Sequence, residues 1–202
     1  KVLFLTLLLV AAAFAAGEAQ LQEAELQKEF QVEYTEGSYD YYLNFLKGYF
    51  VEESNRNYPL FKQCDSRWGS DVINTKTLCQ VGCLENSVSM ALNGLGKSID
   101  GTPVNPHVLN TWLKGHGGYT GNLFIWGSVE SSFSLSYQGQ FKDVTGYANN
   151  DSYVVILNVH NGGHWVLATS YSGGTWKVND PGYQTTSYTN SEVSLGAVYK
   201  LR

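Results

Sequence analysis

An α+β fold with an antiparallel sheet is the class this sequence predicts. Apolar residues recur at helical spacing through the first half of the chain, and from Phe141 onward short apolar runs alternate with Gly, Asn and Ser turns. Helices first and strands afterwards is the α+β order. The 202-residue chain is long enough to bury the core of one ordinary domain.

Taken in order, Lys1 to Ala16 combine one basic residue, an apolar stretch from Val2 to Val10 and a row of small residues with an Ala13-Phe14-Ala15 cleavage pattern. Residues 1–16 read as a signal peptide, because the apolar run is short of the ~20 residues that a bilayer requires. Residues 17–57 read as a helical leader. Leu21, Ala24, Leu26 and Phe30 keep helical spacing, and Tyr39, Tyr42, Leu43, Leu46, Tyr49 and Phe50 form a second apolar face. Either a propeptide covering a cleft or a helical pair packed permanently on the domain would have this pattern.

Near Asn57 Glu and Gln become scarce while Gly, Asn, Ser, Thr and Trp rise, which sets the main domain at 58–202. One helix is expected to begin at Cys83 and run through Leu92, stopping at Gly94 or Gly96. A second starts at Pro106 behind an Asn105 cap and ends at Gly115 to Gly118. A third, weaker one covers Leu123 to Phe133. Strands follow at Phe141 to Val144, Tyr153 to Val159, His164 to Tyr171, Thr175 to Asn179 and Leu195 to Leu201. An N-glycosylation sequon, Asn150-Asp151-Ser152, falls in a loop between strands.

The net charge of −5, with no cluster of Lys or Arg, excludes the phosphate-neutralising surface that nucleic acid requires. No later segment is apolar enough to span a membrane, so no membrane partner is expected once the signal is removed. The acidity suits a secreted protein or the lumen of a lysosome- or food-vacuole-like compartment. Three cysteines in a secreted chain leave either an intermolecular bridge or a free reactive thiol. Cys79 and Cys83 have a metal-like spacing, but only Cys64 joins them and no His is near in sequence. A zinc site is therefore not expected, nor any other metal or cofactor. A Cys64–Cys79 disulfide with Cys83 free is the economical assignment; three reduced, buried cysteines are the alternative.

Cys83 follows Gly82 at the start of the first helix, where backbone N–H groups and the helix dipole favour a thiolate. Gly82 gives a substrate carbonyl close access to the backbone. His164 opens an apolar strand after Asn161-Gly162-Gly163. A hairpin tip at Gly173-Gly174 pairs Asp180 with Leu167 and Tyr183 with His164, so a small shift or bulge brings the Asp180 carboxylate to the imidazole. Asn179 points to the other face. A nucleophile, its base and an orienting acceptor thus occur as Cys83, His164 and Asp180, in the chain order of papain-like sites.

Four separated stretches make a further pattern: Phe61-Lys62-Gln63-Cys64-Asp65-Ser66-Arg67-Trp68-Gly69, Gly82-Cys83 with Ser89-Met90-Ala91-Leu92, Gly162-Gly163-His164-Trp165-Val166, and Val178-Asn179-Asp180-Pro181-Gly182. In this order they resemble the C39-like peptidase family over about Tyr58 to Arg202. The resemblance implies a papain-like fold, with Cys83 as nucleophile, His164 as base and Asp180 as orienting acid. It puts the family's oxyanion-hole glutamine on Gln63, whose amide would act with the Cys83 N–H; Gln80 is the competitor. The chain departs from the family where Leu84-Glu85 follow the nucleophile, and a Glu85 carboxylate there would compete with the thiolate for the helix dipole.

The function expected is hydrolysis of peptide bonds through a Cys83 acyl-thioester, by a monomer acting on a peptide or protein. A peptidoglycan amidase or endopeptidase, an acyltransferase, and a non-catalytic peptide- or glycan-binding module on the same fold are the alternatives. Leu113 and Phe124 are expected in the core, with Trp126 and Tyr119 open between core and groove. His107, His116 and His160 are read as ordinary polar or capping residues.

Overall fold

The computed structural model describes residues 56–202. The signal peptide expected over 1–16 and both amphipathic stretches of the 17–57 leader lie outside the described residues; Arg56 and Asn57 are irregular chain. A short helix α1 (Leu78–Val81) and a longer α2 (Cys83–Gly94) precede α3 (Pro106–Gly115). Around them lie two small hairpins, β1 (Ser98–Ile99) with β2 (Thr102–Pro103) and β3 (Tyr119–Thr120) with β4 (Leu123–Phe124). A 3₁₀ turn over Trp126–Val129 leads into α4 (Glu130–Phe133). The main sheet is built from β5 (Leu135–Phe141), β6 (Tyr153–Val159), β7 (His164–Ser172), β8 (Thr175–Asn179), β9 (Ser187–Thr189) and β10 (Leu195–Leu201). Its strand order is β5-β10-β6-β7-β8-β9, antiparallel throughout. Helices first and an antiparallel sheet after is the α+β order read from the sequence.

β6 lies inside this sheet and is apolar on both faces. Val154 and Ile156 join Met90, Leu92, Leu109 and Leu113 in the helix-side core. Val155, Leu157 and Val159 pack with Val166, Trp176, Val178 and Tyr188 on the other side. A strand covered on both faces has no reason to alternate, which is why β6 reads as a continuous apolar run. A third cluster of Trp68, Ile73 and Leu78 supports the segment ahead of α1.

α3 starts as the sequence predicts: Asn105 caps it through a bond from the Val108 N–H at 3.0 Å, with Pro106 at the first helical position. The expected helix over Leu123 to Phe133 is instead β4, the 3₁₀ turn and the four residues of α4. Gly127 interrupts the run, and Trp126 leaves helical register to stack on Tyr137. The strand expected at Phe141 to Val144 lies earlier, as β5, because Phe141 pairs with Gly196 and the chain then turns away. Leu113 and Phe124 are core residues, and Trp126 joins them by packing on Trp165 and Tyr199.

Register at the β7–β8 hairpin differs from simple counting. From its tip at Gly173 and Gly174, both at positive φ, the pairing runs Ser172↔Thr175, Tyr171↔Trp176 and Ser170↔Lys177. It then slips by one residue, so that Ala168 faces Val178 and Leu167 faces Asn179. Asp180 is therefore not opposite Leu167, nor Tyr183 opposite His164. The bulge at Thr169 carries Asp180 one step further along β7, toward His164.

Candidate active site

Cys83 is the first residue of α2 and the free cysteine, while Cys64 and Cys79 are joined in a disulfide. Gly82 ends α1 and caps α2 at once, so the two helices meet at the thiol. The need for glycine there differs from the one expected of the sequence. A Cβ on Gly82 would lie 2.5 Å from the Leu78 carbonyl oxygen and 2.9 Å from Leu78 Cδ2. It is the packing of α1 against the turn, rather than room for a substrate, that excludes a side chain.

His164 heads β7 and is buried. Its Nε2 is 2.7 Å from Asp180 Oδ1, and its ring lines the same cleft as Cys83, whose side chain is among the groups that raise its pKa. Burial works against the imidazolium, but the hydrogen bonds and charges of Asp180 and Cys83 outweigh it and push the His164 pKa up to about 9. Asp180 is 1% exposed, and its Oδ1 also accepts from the Gly182 and Tyr183 N–H groups, both at 2.8 Å. Its Oδ2 accepts from the Tyr188 hydroxyl at 2.8 Å. Burial opposes the charge on Asp180, yet the donors from His164, Tyr183 and Tyr188 hold its carboxyl below the usual carboxylate range.

Around this trio the sequence supplies supports that pattern reading passed over. Asn158, a buried polar residue within apolar β6, donates to the carbonyls of Gly162 and His164 at 3.2 Å and holds the turn that presents His164. His160, read as an ordinary polar residue, lies 3.2 Å from the Tyr188 hydroxyl, and its ring is 5.5 Å from that of His164. The Tyr188 proton is given to Asp180, so the hydroxyl oxygen accepts from His160. Lys62 donates to the carbonyls of Asp180 and Tyr183, and the Gln63 N–H bonds the Pro181 carbonyl at 2.9 Å. An isolated Asn in a hydrophobic strand was the one signal of this shell readable from sequence.

Gln63 and Gln80 have different surroundings. Gln80 turns back to cap α1, its Oε1 accepting from the Thr77 N–H at 3.0 Å. Gln63 donates from Nε2 to the Cys79 carbonyl at 2.8 Å and lines the same cleft as Cys83 and His164. The motif that carries Gln63 is a wound turn. Trp68 is buried against Phe61 and donates from Nε1 to the Lys62 carbonyl, and Gly69 bonds Asp65. Asp65 is paired with Arg67, which lies over the Trp68 ring.

Glu85 does not act as the sequence suggests. It is 1% exposed, and burial raises its pKa well above that of a free carboxyl, against the lowering effect of the Ser89 hydrogen bond. Raised in this way, Glu85 favours its uncharged form and competes less with a thiolate for the first turn of α2 than a free carboxylate would.

The cleft encloses about 680 Å³. Its floor is Cys83 and His164, with Leu84, Trp165, Tyr119 and Leu123 among its apolar walls. Leu123 is 70% exposed, and the neighbouring Asn122 fixes the rim by accepting from the N–H groups of Thr75 and Lys76 at 2.9 and 3.1 Å. Tyr119, left open above, borders the cleft and donates its hydroxyl to Asn110. Among the described residues no group of three His, Cys, Asp or Glu side chains gathers as a metal site, and no helix is long and apolar enough to cross a membrane.

No family model matches the chain, and no curated protein matches it. Among solved structures it is similar to a double glycine motif protease from an AMS/PCAT transporter in complex with the leader peptide. That similarity has 14% identity and a TM-score of 0.48, and covers 75% of this chain and 97% of that one.

Proposed function

We propose that this chain is a cysteine peptidase of papain-like fold, with Cys83 as nucleophile, His164 as acid and base, and Asp180 as the residue that orients the imidazole. The observation that carries this reading is His164 bonded at 2.7 Å to the buried Asp180 and sharing one cleft with Cys83, which stands at a helix start. An imidazolium held up to about pH 9 is the counter-charge that a reactive thiolate needs.

In this mechanism Cys83 Sγ adds to the carbonyl carbon of the scissile peptide, and the oxygen takes the negative charge. The Cys83 N–H and the second Nε2 proton of Gln63 donate to that oxygen. His164 gives its proton to the departing amine as the C–N bond breaks, leaving a thioester on Cys83. Neutral His164 then takes a proton from water, which attacks the thioester and frees the acid. With a signal peptide read at 1–16, the enzyme would work outside the cell or in a lumenal compartment.

Fluorescein-labelled casein tests this reading at mildly acidic to neutral pH. Cleavage by the wild type that is abolished by iodoacetamide and by Cys83→Ala is expected. Cleavage that survives Cys83→Ala would remove the thiol mechanism, and binding without cleavage by an unreactive Cys83 would favour the binding module.

A further inference from the structure

The Gln63 backbone is anchored beside Asp180, its N–H on the Pro181 carbonyl at 2.9 Å, but its side-chain amide bonds neither Asp180 nor α2. That amide is held by one visible bond, from Nε2 to the carbonyl of Cys79, and its Oε1 is buried without a partner. Cys79 is the disulfide partner of Cys64, the residue that directly follows Gln63. The Gln63 backbone and the carbonyl that grips its side chain are thus joined covalently by the Cys64–Cys79 bond. Both cysteines border the cleft, and Cys64 is exposed to solvent.

Cutting this bond would remove the covalent tie between the 61–69 turn and α1, leaving the Cys79 N–H on the Gly69 carbonyl at 3.0 Å and the packing of Trp68 with Leu78. The Cys79 carbonyl would then be held less tightly relative to Gln63. The Cys83–His164–Asp180 contacts involve neither cysteine. Asp180 has its own donors in the Gly182 and Tyr183 N–H groups and the Tyr188 hydroxyl, and Cys83 is set by α2.

We infer that the Cys64–Cys79 disulfide is a positioning element for the Gln63 amide, and that its reduction impairs the steps that pass through an oxyanion while leaving the Cys83–His164 pair competent. This rests on the reading of Cys83 as nucleophile and Gln63 as oxyanion donor. A dithiol such as dithiothreitol would reduce the bond by exchange: one thiolate displaces Cys64 or Cys79 as thiolate, the second closes the reagent into its own disulfide, and the protein gains two thiols. The enzyme needs one thiol reduced and another pair oxidised, so its activity should rise and then fall with increasing reductant.

Two reagents separate the effects. Iodoacetamide alkylates Cys83 by displacement at carbon and forms no oxyanion, whereas p-nitrophenyl acetate acylates it through a tetrahedral oxyanion. Both modifications are read at Cys83 by peptide mass mapping, in the wild type, Gln63→Ala and the Cys64→Ser/Cys79→Ser double variant. The expected result is alkylation within about twofold of wild type in both variants. Acylation should fall at least ~10-fold in the disulfide variant and towards the ~100- to 1,000-fold loss of a missing oxyanion donor in Gln63→Ala. Removing the disulfide in the Gln63→Ala background should then add little.

Where the double variant fails to fold, graded dithiothreitol on folded wild type, with the Cys64–Cys79 state followed by intact mass, gives the same comparison. Equal loss of alkylation and acylation would make the disulfide merely structural and overturn the inference. So would acylation that drops in Gln63→Ala but not on loss of the disulfide, with the site reading left standing. Slow alkylation of Cys83 in the wild type that does not depend on His164 would instead overturn the site reading itself.

Discussion

Asp180 is the most heavily bonded side chain of the site, with donors from His164, Gly182, Tyr183 and Tyr188 converging on its two oxygens. Asp180→Asn replaces an oxygen with an N–H group that faces donors, and takes away the charge opposite the imidazole. The His164 pKa should fall from about 9 towards its ordinary 6.5, as followed by NMR of the ring protons across pH. Glu85 works in the opposite sense. A buried carboxyl that stays protonated above its ordinary range costs stability as pH rises, so Glu85→Gln should raise stability at pH 7 more than at pH 4 in urea melts. An unchanged melt would mean that Glu85 ionises in place. That His164 meets Asp180 and shares a cleft with Cys83 could be read from the sequence, because few residue types fit a nucleophile, a base and an acceptor at those positions. The state of Glu85 could not, since its raised pKa comes from burial, which a first-turn Glu does not reveal.

At the scale of elements, the junction of α1 and α2 is fixed by one glycine. Gly82→Ala would drive a methyl into the Leu78 carbonyl, with backbone rather than a flexible side-chain tip to be displaced. It should cost about 1–3 kcal/mol and slow Cys83 alkylation together, because the shift is at the helix start that presents the thiol. Asn105→Ala, by contrast, removes the α3 cap far from the thiol and should cost about 1 kcal/mol with alkylation unchanged. The Asn105 cap, the helix starting at Cys83 and four of the strands were legible because Asn, Pro and Gly punctuate them locally. The slip at Thr169 was not. A bulge depends on how β8 packs between β7 and β9, and nothing in Ala168-Thr169-Ser170 announces it. For the same reason the short hairpins β1–β2 and β3–β4 escaped notice, each strand being two residues long.

For the molecule as a whole, the buried ionisable groups define a pH window. His164, raised from 6.5 to about 9, contributes stability that is full below pH 6.5 and is lost as pH rises through 9. Asp180, held below its ordinary value, contributes stability above pH 3.8 that is lost as pH falls through its lowered value. Glu85, raised, favours the fold below pH 4.5 and progressively less above it. Thermal melts should therefore show a maximum between about pH 4 and 6.5 and a decline on both sides. His164→Ala should flatten the alkaline side, and a profile unchanged by that substitution would assign the decline to other groups.

The most direct measurement is the rate of iodoacetamide alkylation at Cys83 as a function of pH, in the wild type and in His164→Ala. A Cys83–His164 ion pair predicts rapid labelling at mildly acidic pH, a second change as His164 titrates near pH 9, and loss of the acidic reactivity in the variant. A wild-type rate that climbs only as ordinary thiols ionise, near pH ~8.5, and is the same without His164 would contradict the pair and with it the proposed peptidase.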